Sequence, residues 1–106
     1  MKILVINPNS DEETRLRIVE KVHKFAPSDW EVDVISLKST PKLMASYEDE
    51  AKAIPEMEQI IREGSQYDAF IDACHSDPNL DFLQEITEKP VVGIAEASMP
   101  IKTVYY

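Results

Sequence analysis

A chain of 106 residues with 11 Lys and Arg against 20 Asp and Glu carries a formal charge of −9. That length supports one core, burying roughly two-thirds of the surface its unfolded form exposes, and excludes two domains, so residues 1–106 are expected to form a single domain. So acidic a surface repels phosphate backbones and anionic headgroups, which argues against nucleic-acid or membrane partners.

Ile3, Leu4, Val5 and Ile6 form a continuous apolar run stopped by Asn7-Pro8-Asn9. The run is too short for a signal-peptide core or a membrane span and predicts a strand covered on both faces of a parallel sheet. Ser10 stands at capping-box distance from Glu13, and Leu16, Val19, Val22 and Phe25 or Ala26 then recur at helical spacing. After the break at Pro27-Ser28-Asp29, residues from Trp30 to Leu37 alternate apolar with polar, which suits an edge strand.

Residues 38–47 lack periodicity and read as a long loop. Ala51, Ile54, Met57 and Ile60 or Ile61 mark a second helix ending at a Gly64 cap, with Pro55 predicting a kink or a late start. Ala69, Phe70, Ile71 and Ala73 predict a third strand running into Cys74, and Asp77 and Pro78 offer an N-cap and a first-turn proline for a third helix through Phe82, Leu83 and Ile86. Val91, Val92, Gly93 and Ile94 close the pattern as a fourth strand. Alternation of strands and helices predicts an α/β fold with a parallel sheet and right-handed crossovers; analogy with known α/β folds makes it a three-layer αβα sandwich on a four-stranded sheet of flavodoxin-like order 2-1-3-4.

Ligands of such sheets sit beyond the carboxyl ends of the strands, where the strand order reverses. The loop Asn7-Pro8-Asn9-Ser10-Asp11 brings two carboxamides, a hydroxyl and a helix N-terminus to that place, which suits an anion such as a carboxylate. The same residues also serve a plain turn, with Asn7 and Asn9 satisfying backbone and Ser10 capping the helix. Cys74, at the end of the third strand, is the one cysteine; it allows no internal disulfide or CxxC pair and points to a reducing, cytoplasmic setting. A following helix N-terminus can lower a thiol pKa and make it a base or nucleophile, whereas most lone cysteines are inert fillers. His75 can tune such a thiolate or stand as an ordinary loop histidine.

Other chemistries fit poorly. A phosphatase loop needs arginine six residues beyond its cysteine, where Leu80 stands. A phospho-receiver needs acids where Asn7 and Cys74 are found, and His23 and His75 have no zinc-site spacing, so no metal is expected.

Three segments, Ile3-Leu4-Val5-Ile6-Asn7-Pro8-Asn9-Ser10, Asp72-Ala73-Cys74-His75-Ser76-Asp77-Pro78-Asn79-Leu80 and Pro90-Val91-Val92-Gly93-Ile94-Ala95-Glu96-Ala97, together resemble the amino-terminal lobe of the aspartate/glutamate/hydantoin racemase family. The resemblance implies an isomerase needing no cofactor, in which two cysteines from two similar lobes flank the substrate α-carbon. One thiolate takes the α-proton and the opposing thiol returns a proton to the other face. Cys74 would be one of the pair, with Asn7, Asn9, Ser10, His75 and Ser76 about an amino-acid carboxylate or hydantoin ring. His75, Ser76 and Asn79 replace the aromatic and glycines usual around the family's cysteine, so substrate specificity does not transfer. A second lobe and second cysteine are expected to be absent. A homodimer supplying the second thiol is therefore expected; an inactive carboxylate-binding lobe or a truncated racemase is the alternative.

Overall fold

The computed structural model describes residues 1–73 and 79–94. Four strands, β1 (Lys2–Asn7), β2 (Glu31–Ser36), β3 (Ala69–Asp72) and β4 (Val91–Gly93), form one sheet in the order β2-β1-β3-β4. Every pairing is parallel, and the anticipated order is the observed one. Three helices connect them: α1 (Glu12–Phe25), α2 (Tyr47–Glu63) and α3 (Leu80–Glu85).

β1 is central because its apolar run can be covered twice. Leu4 and Ile6 point into a core with Phe70, Val91, Met57 of α2 and Leu83 of α3. Ile3 and Val5 are also buried, and Val5 lines a groove together with Thr14, Ile18 and Val22 of α1. β2 lies at an edge, with Glu31 and Asp33 exposed and Val32 and Val34 half-buried, as alternation requires.

Several local expectations are corrected. No capping box forms at Ser10: the N-cap of α1 is Asp11, and the Ser10 amide instead donates to the Pro41 carbonyl at 3.0 Å. The inward line of α1 is Thr14, Ile18, Val22 and Ala26, all half-buried, while Leu16 and Phe25 are exposed. A step of three residues turns about 300° around a helix, so a line drawn through every third residue winds off the contact face.

Pro55 does not delay α2, since the helix begins at Tyr47, where the Ser46 hydroxyl accepts from the Asp49 amide at 3.1 Å. The buried residues of α2 are Ala53, Met57 and Ile61; Ala51 is exposed. Gly64 is the C-cap, but with φ −87° and ψ 40° it is not left-handed. Space is the reason for glycine there, since a Cβ would lie 2.9 Å from both the Ile60 carbonyl oxygen and the Phe70 ring.

α3 starts later than Asp77 and Pro78 suggested. Its N-cap is Asn79, in the left-handed region at φ 61°, whose carboxamide donates to the Glu50 carbonyl of α2 at 2.7 Å. β3 ends at Asp72, one residue before Ala73, whose amide still donates to the Ile6 carbonyl at 2.9 Å. Cys74, His75, Ser76, Asp77 and Pro78 lie outside the described residues, as does Glu96.

The turn between α2 and β3 is held by Lys89, whose ammonium donates to the carbonyls of Ser65 at 2.8 Å and Tyr67 at 2.6 Å. The Tyr67 hydroxyl donates to Asp33 at 2.6 Å, and burial, followed by this bond, pushes the phenol up to about 12. A phenol whose folded pKa exceeds its unfolded value stabilises the fold below about pH 10 and loses that contribution as the pH rises through 12. Phenolate absorbance should therefore show one tyrosine titrating near 12, returning toward 10 in Asp33→Asn. Gly64→Ala, which drives a methyl against Phe70, should lower stability by about 1–3 kcal/mol in urea unfolding with the m-value unchanged.

Candidate functional site

The carboxyl end of β1 delivers Asn7, 1% exposed, to the start of α1. Its Nδ2 donates to the Ser36 hydroxyl and to Asn9 Oδ1, each at 2.9 Å, with a longer contact of 3.5 Å to the Asp11 carbonyl. Asn9 Oδ1 also accepts from the Asp11 amide at 3.0 Å, an Asx turn that sets the angle at which the chain enters the helix. Asn7 Oδ1 has no partner among the described residues. A buried acceptor left unpaired costs about 1–3 kcal/mol, so its retention calls for an explanation.

The turn is buttressed from the loop that follows β2. The Leu37 amide donates to the Asn7 carbonyl at 3.0 Å, and buried Thr40 donates its hydroxyl to the Pro8 carbonyl at 2.7 Å. That loop hangs in turn from Glu56 of α2, whose carboxylate accepts from the amides of Lys38 and Ser39 and from the Ser39 hydroxyl at 2.6 Å. Burial raises the Glu56 carboxyl, but the Ser39 hydroxyl and these amides outweigh it and hold it below the ordinary carboxylate value.

At the helix start the position for an anion is already taken. Asp11 accepts from the Thr14 hydroxyl at 2.7 Å, which, ahead of the Glu13 and Thr14 amides, holds its carboxyl below the usual range. Glu12 and Glu13 follow at once in the first turn, paired with Arg15 and Arg17.

Asn7, Asn9 and Thr14 form the polar end of a groove of about 780 Å³. From there it runs beneath α1, over Val5, Ile71 and Ile94, to Phe25 and Trp30, with Arg17 and Lys21 on its rim. Ala73, the residue before Cys74, lines the same groove. Ser10 does not; it borders a separate depression with Ser36 and Lys38. Among the described residues, no group of three or more His, Cys, Asp or Glu is arranged to hold a metal ion. No helix among them is long and apolar enough to cross a membrane.

Comparison with known proteins decides the lineage, because residues 3–100 match the Asp/Glu/hydantoin racemase family. The chain belongs to that family. It is 42% identical over 101 residues to a hydantoin racemase of Pseudomonas sp. (strain NS671), a match covering 93% of this chain and 41% of that protein. Against the hydantoin racemase of Paenarthrobacter aurescens it is 36% identical over 103 residues, covering 93% and 43%. Among solved structures, the allantoin racemase of Klebsiella pneumoniae superposes with a TM-score of 0.85 at 31% identity, over 98% of this chain and 43% of that one. The allantoin racemase of Pseudomonas fluorescens gives the same TM-score at 25% identity, covering 98% and 45%. The chain thus spans less than half the length of the relatives it matches.

Ser36, Thr40 and Glu56, which hold the turn, escaped the sequence reading because they come from distant segments and carry no motif. Asp72, buried at the end of β3, also escaped, although an acid in an apolar strand is a legible signal. A glutamate whose folded pKa is depressed stabilises above its unfolded value and loses that contribution as the pH falls. The protection factors of the Lys38 and Ser39 amides against exchange should therefore fall below about pH 4.5, and Glu56→Gln should remove that acid dependence. Thr40→Val, which strips the Pro8 carbonyl of its donor, should cost about 1–3 kcal/mol in urea unfolding.

Proposed function

We propose that this chain is one lobe of a cofactor-independent racemase acting on small hydantoin-type or amino-acid substrates, with Cys74 as one of two acid–base groups. The observation that carries the reading is the family match together with the groove: Ala73 stands in its wall beside Asn7 and Asn9, and Cys74 is the next residue along the chain. The relatives named hydantoin and allantoin racemase favour a ring or chain of the ureide type as substrate.

Inversion at carbon requires a base on one face and an acid on the other, because a single group returns the proton to the side it came from. In this reading the Cys74 thiolate removes the proton from the α-carbon, and a thiol on the opposite face protonates the resulting carbanion. Asn7 and Asn9 hold the substrate, with Ser10, His75 and Ser76 as the remaining candidates about it.

A second copy of the chain supplies the opposing thiol. Among the described residues, Val92 of β4, Ile94 just after it and Phe25 of α1 are exposed apolar side chains open to such a contact. Exposed apolar side chains favour self-association when they fall on one patch. Binding of the substrate without turnover is the second reading.

In heavy water, incubation with 5-methylhydantoin should place deuterium at the ring carbon, and Cys74→Ala should slow that exchange by about 10²–10⁴-fold. Light scattering should show a dimer at the same protein concentration. Ligand binding without exchange would establish the second reading, and a strictly monomeric chain that still exchanges would remove the dimer.

A further inference from the structure

The chain after β2 lies across the asparagine turn as a strap. Within the sheet, where Asn7 pairs with Ser36, the Ser36 hydroxyl accepts from Asn7 Nδ2 at 2.9 Å and the Leu37 amide donates to the Asn7 carbonyl at 3.0 Å. Beyond the sheet, the Thr40 hydroxyl donates to the Pro8 carbonyl at 2.7 Å and the Pro41 carbonyl accepts from the Ser10 amide at 3.0 Å. Asn7 is thus held by the ladder, whereas Pro8 and Ser10 take their places from the strap.

The strap forms neither helix nor strand, and Lys38 and Ser39 at its middle are exposed. Their fixed point is Glu56 of α2, whose carboxylate accepts from the Lys38 amide at 2.9 Å, the Ser39 amide at 2.9 Å and the Ser39 hydroxyl at 2.6 Å. The core places Glu56 in turn, since Ala53 and Met57 of the same helix are fully buried. Donors converging from two amides and a hydroxyl need an acceptor at each oxygen. A carboxylate supplies that, whereas a carboxamide sets an NH2 group against one of the donors. Hydrogen bonds to an ionised acceptor are also the stronger kind.

We propose that Glu56 is a positioning residue for substrate binding: through the strap it holds Pro8, Asn9 and Ser10 in register with Asn7, and so sets how tightly the turn grips a ligand that Glu56 itself does not touch. The inference rests on the turn being the ligand site of the proposed racemase lobe. Cys74 follows β3, on the opposite side of β1 from β2 and the strap. Releasing the strap therefore weakens binding and leaves proton transfer in the bound complex unchanged.

The test measures 5-methylhydantoin affinity by calorimetry, and deuterium exchange at saturating ligand, in the full chain and in Glu56→Gln, Ser39→Ala, Thr40→Val and Gly64→Ala. Affinity should weaken by about two- to thirtyfold in Glu56→Gln and in Thr40→Val. Combining these two should add little, because both release one strap. Ser39 is exposed, so Ser39→Ala decides the matter even if Glu56→Gln fails to fold, and it should weaken binding in the same direction. The exchange rate at saturation should hold in each strap variant; in a chain that binds without exchange, affinity alone decides. A merely structural loss lowers the number of binding sites and leaves the affinity of each intact, which is the pattern expected of Gly64→Ala. Unchanged affinity in the strap variants, or an equal loss of affinity in Gly64→Ala, would overturn the proposal while leaving the turn as the ligand site. Failure of the unaltered chain to bind 5-methylhydantoin would overturn it together with the reading it rests on.

Discussion

The middle position of β1 governs the rest of the molecule. A strand hydrogen-bonded on both edges and packed on both faces has no freedom of register, because a slip of one residue would exchange its two buried sets of side chains. Its last residue, Asn7, inherits that constraint. The Leu37 amide fixes its carbonyl from the β2 side, and Ala73 holds the neighbouring Ile6 carbonyl from the β3 side. The carboxamide is thus aimed by the sheet itself, and only the chain beyond it needs further support from the Thr40 and Glu56 bonds.

Acidic residues at the start of α1 change what a helix N-terminus offers. The general expectation is an anion drawn to free amides and the positive end of the dipole. Here the anion is part of the chain, for Asp11 occupies that end with Thr14 as its donor.

The sheet was legible from four apolar runs separated by turn residues, whereas its order came from analogy with other α/β folds and not from any residue. Asn7 and Asn9 were legible as a polar cluster at the strand end. The partners that give them their roles were not, since Ser36 lies 29 residues from Asn7 and Thr40 lies 32 from Pro8. The cap of α1 was misplaced by one residue for a related reason: a long-range bond to Pro41 takes the Ser10 amide, which local spacing could not foresee. Gly64 was recognised as a helix end, but its cause lies in the Phe70 ring, visible only once the strand packs against the helix.

The two outer strands carry a further consequence for assembly. β2 presents Glu31 and Asp33 outward and β4 is only three residues long, so neither margin is a good template for continuing the ladder into another molecule. Intermolecular strand addition, the usual route from a bare sheet to fibrous aggregates, is thereby discouraged at both ends.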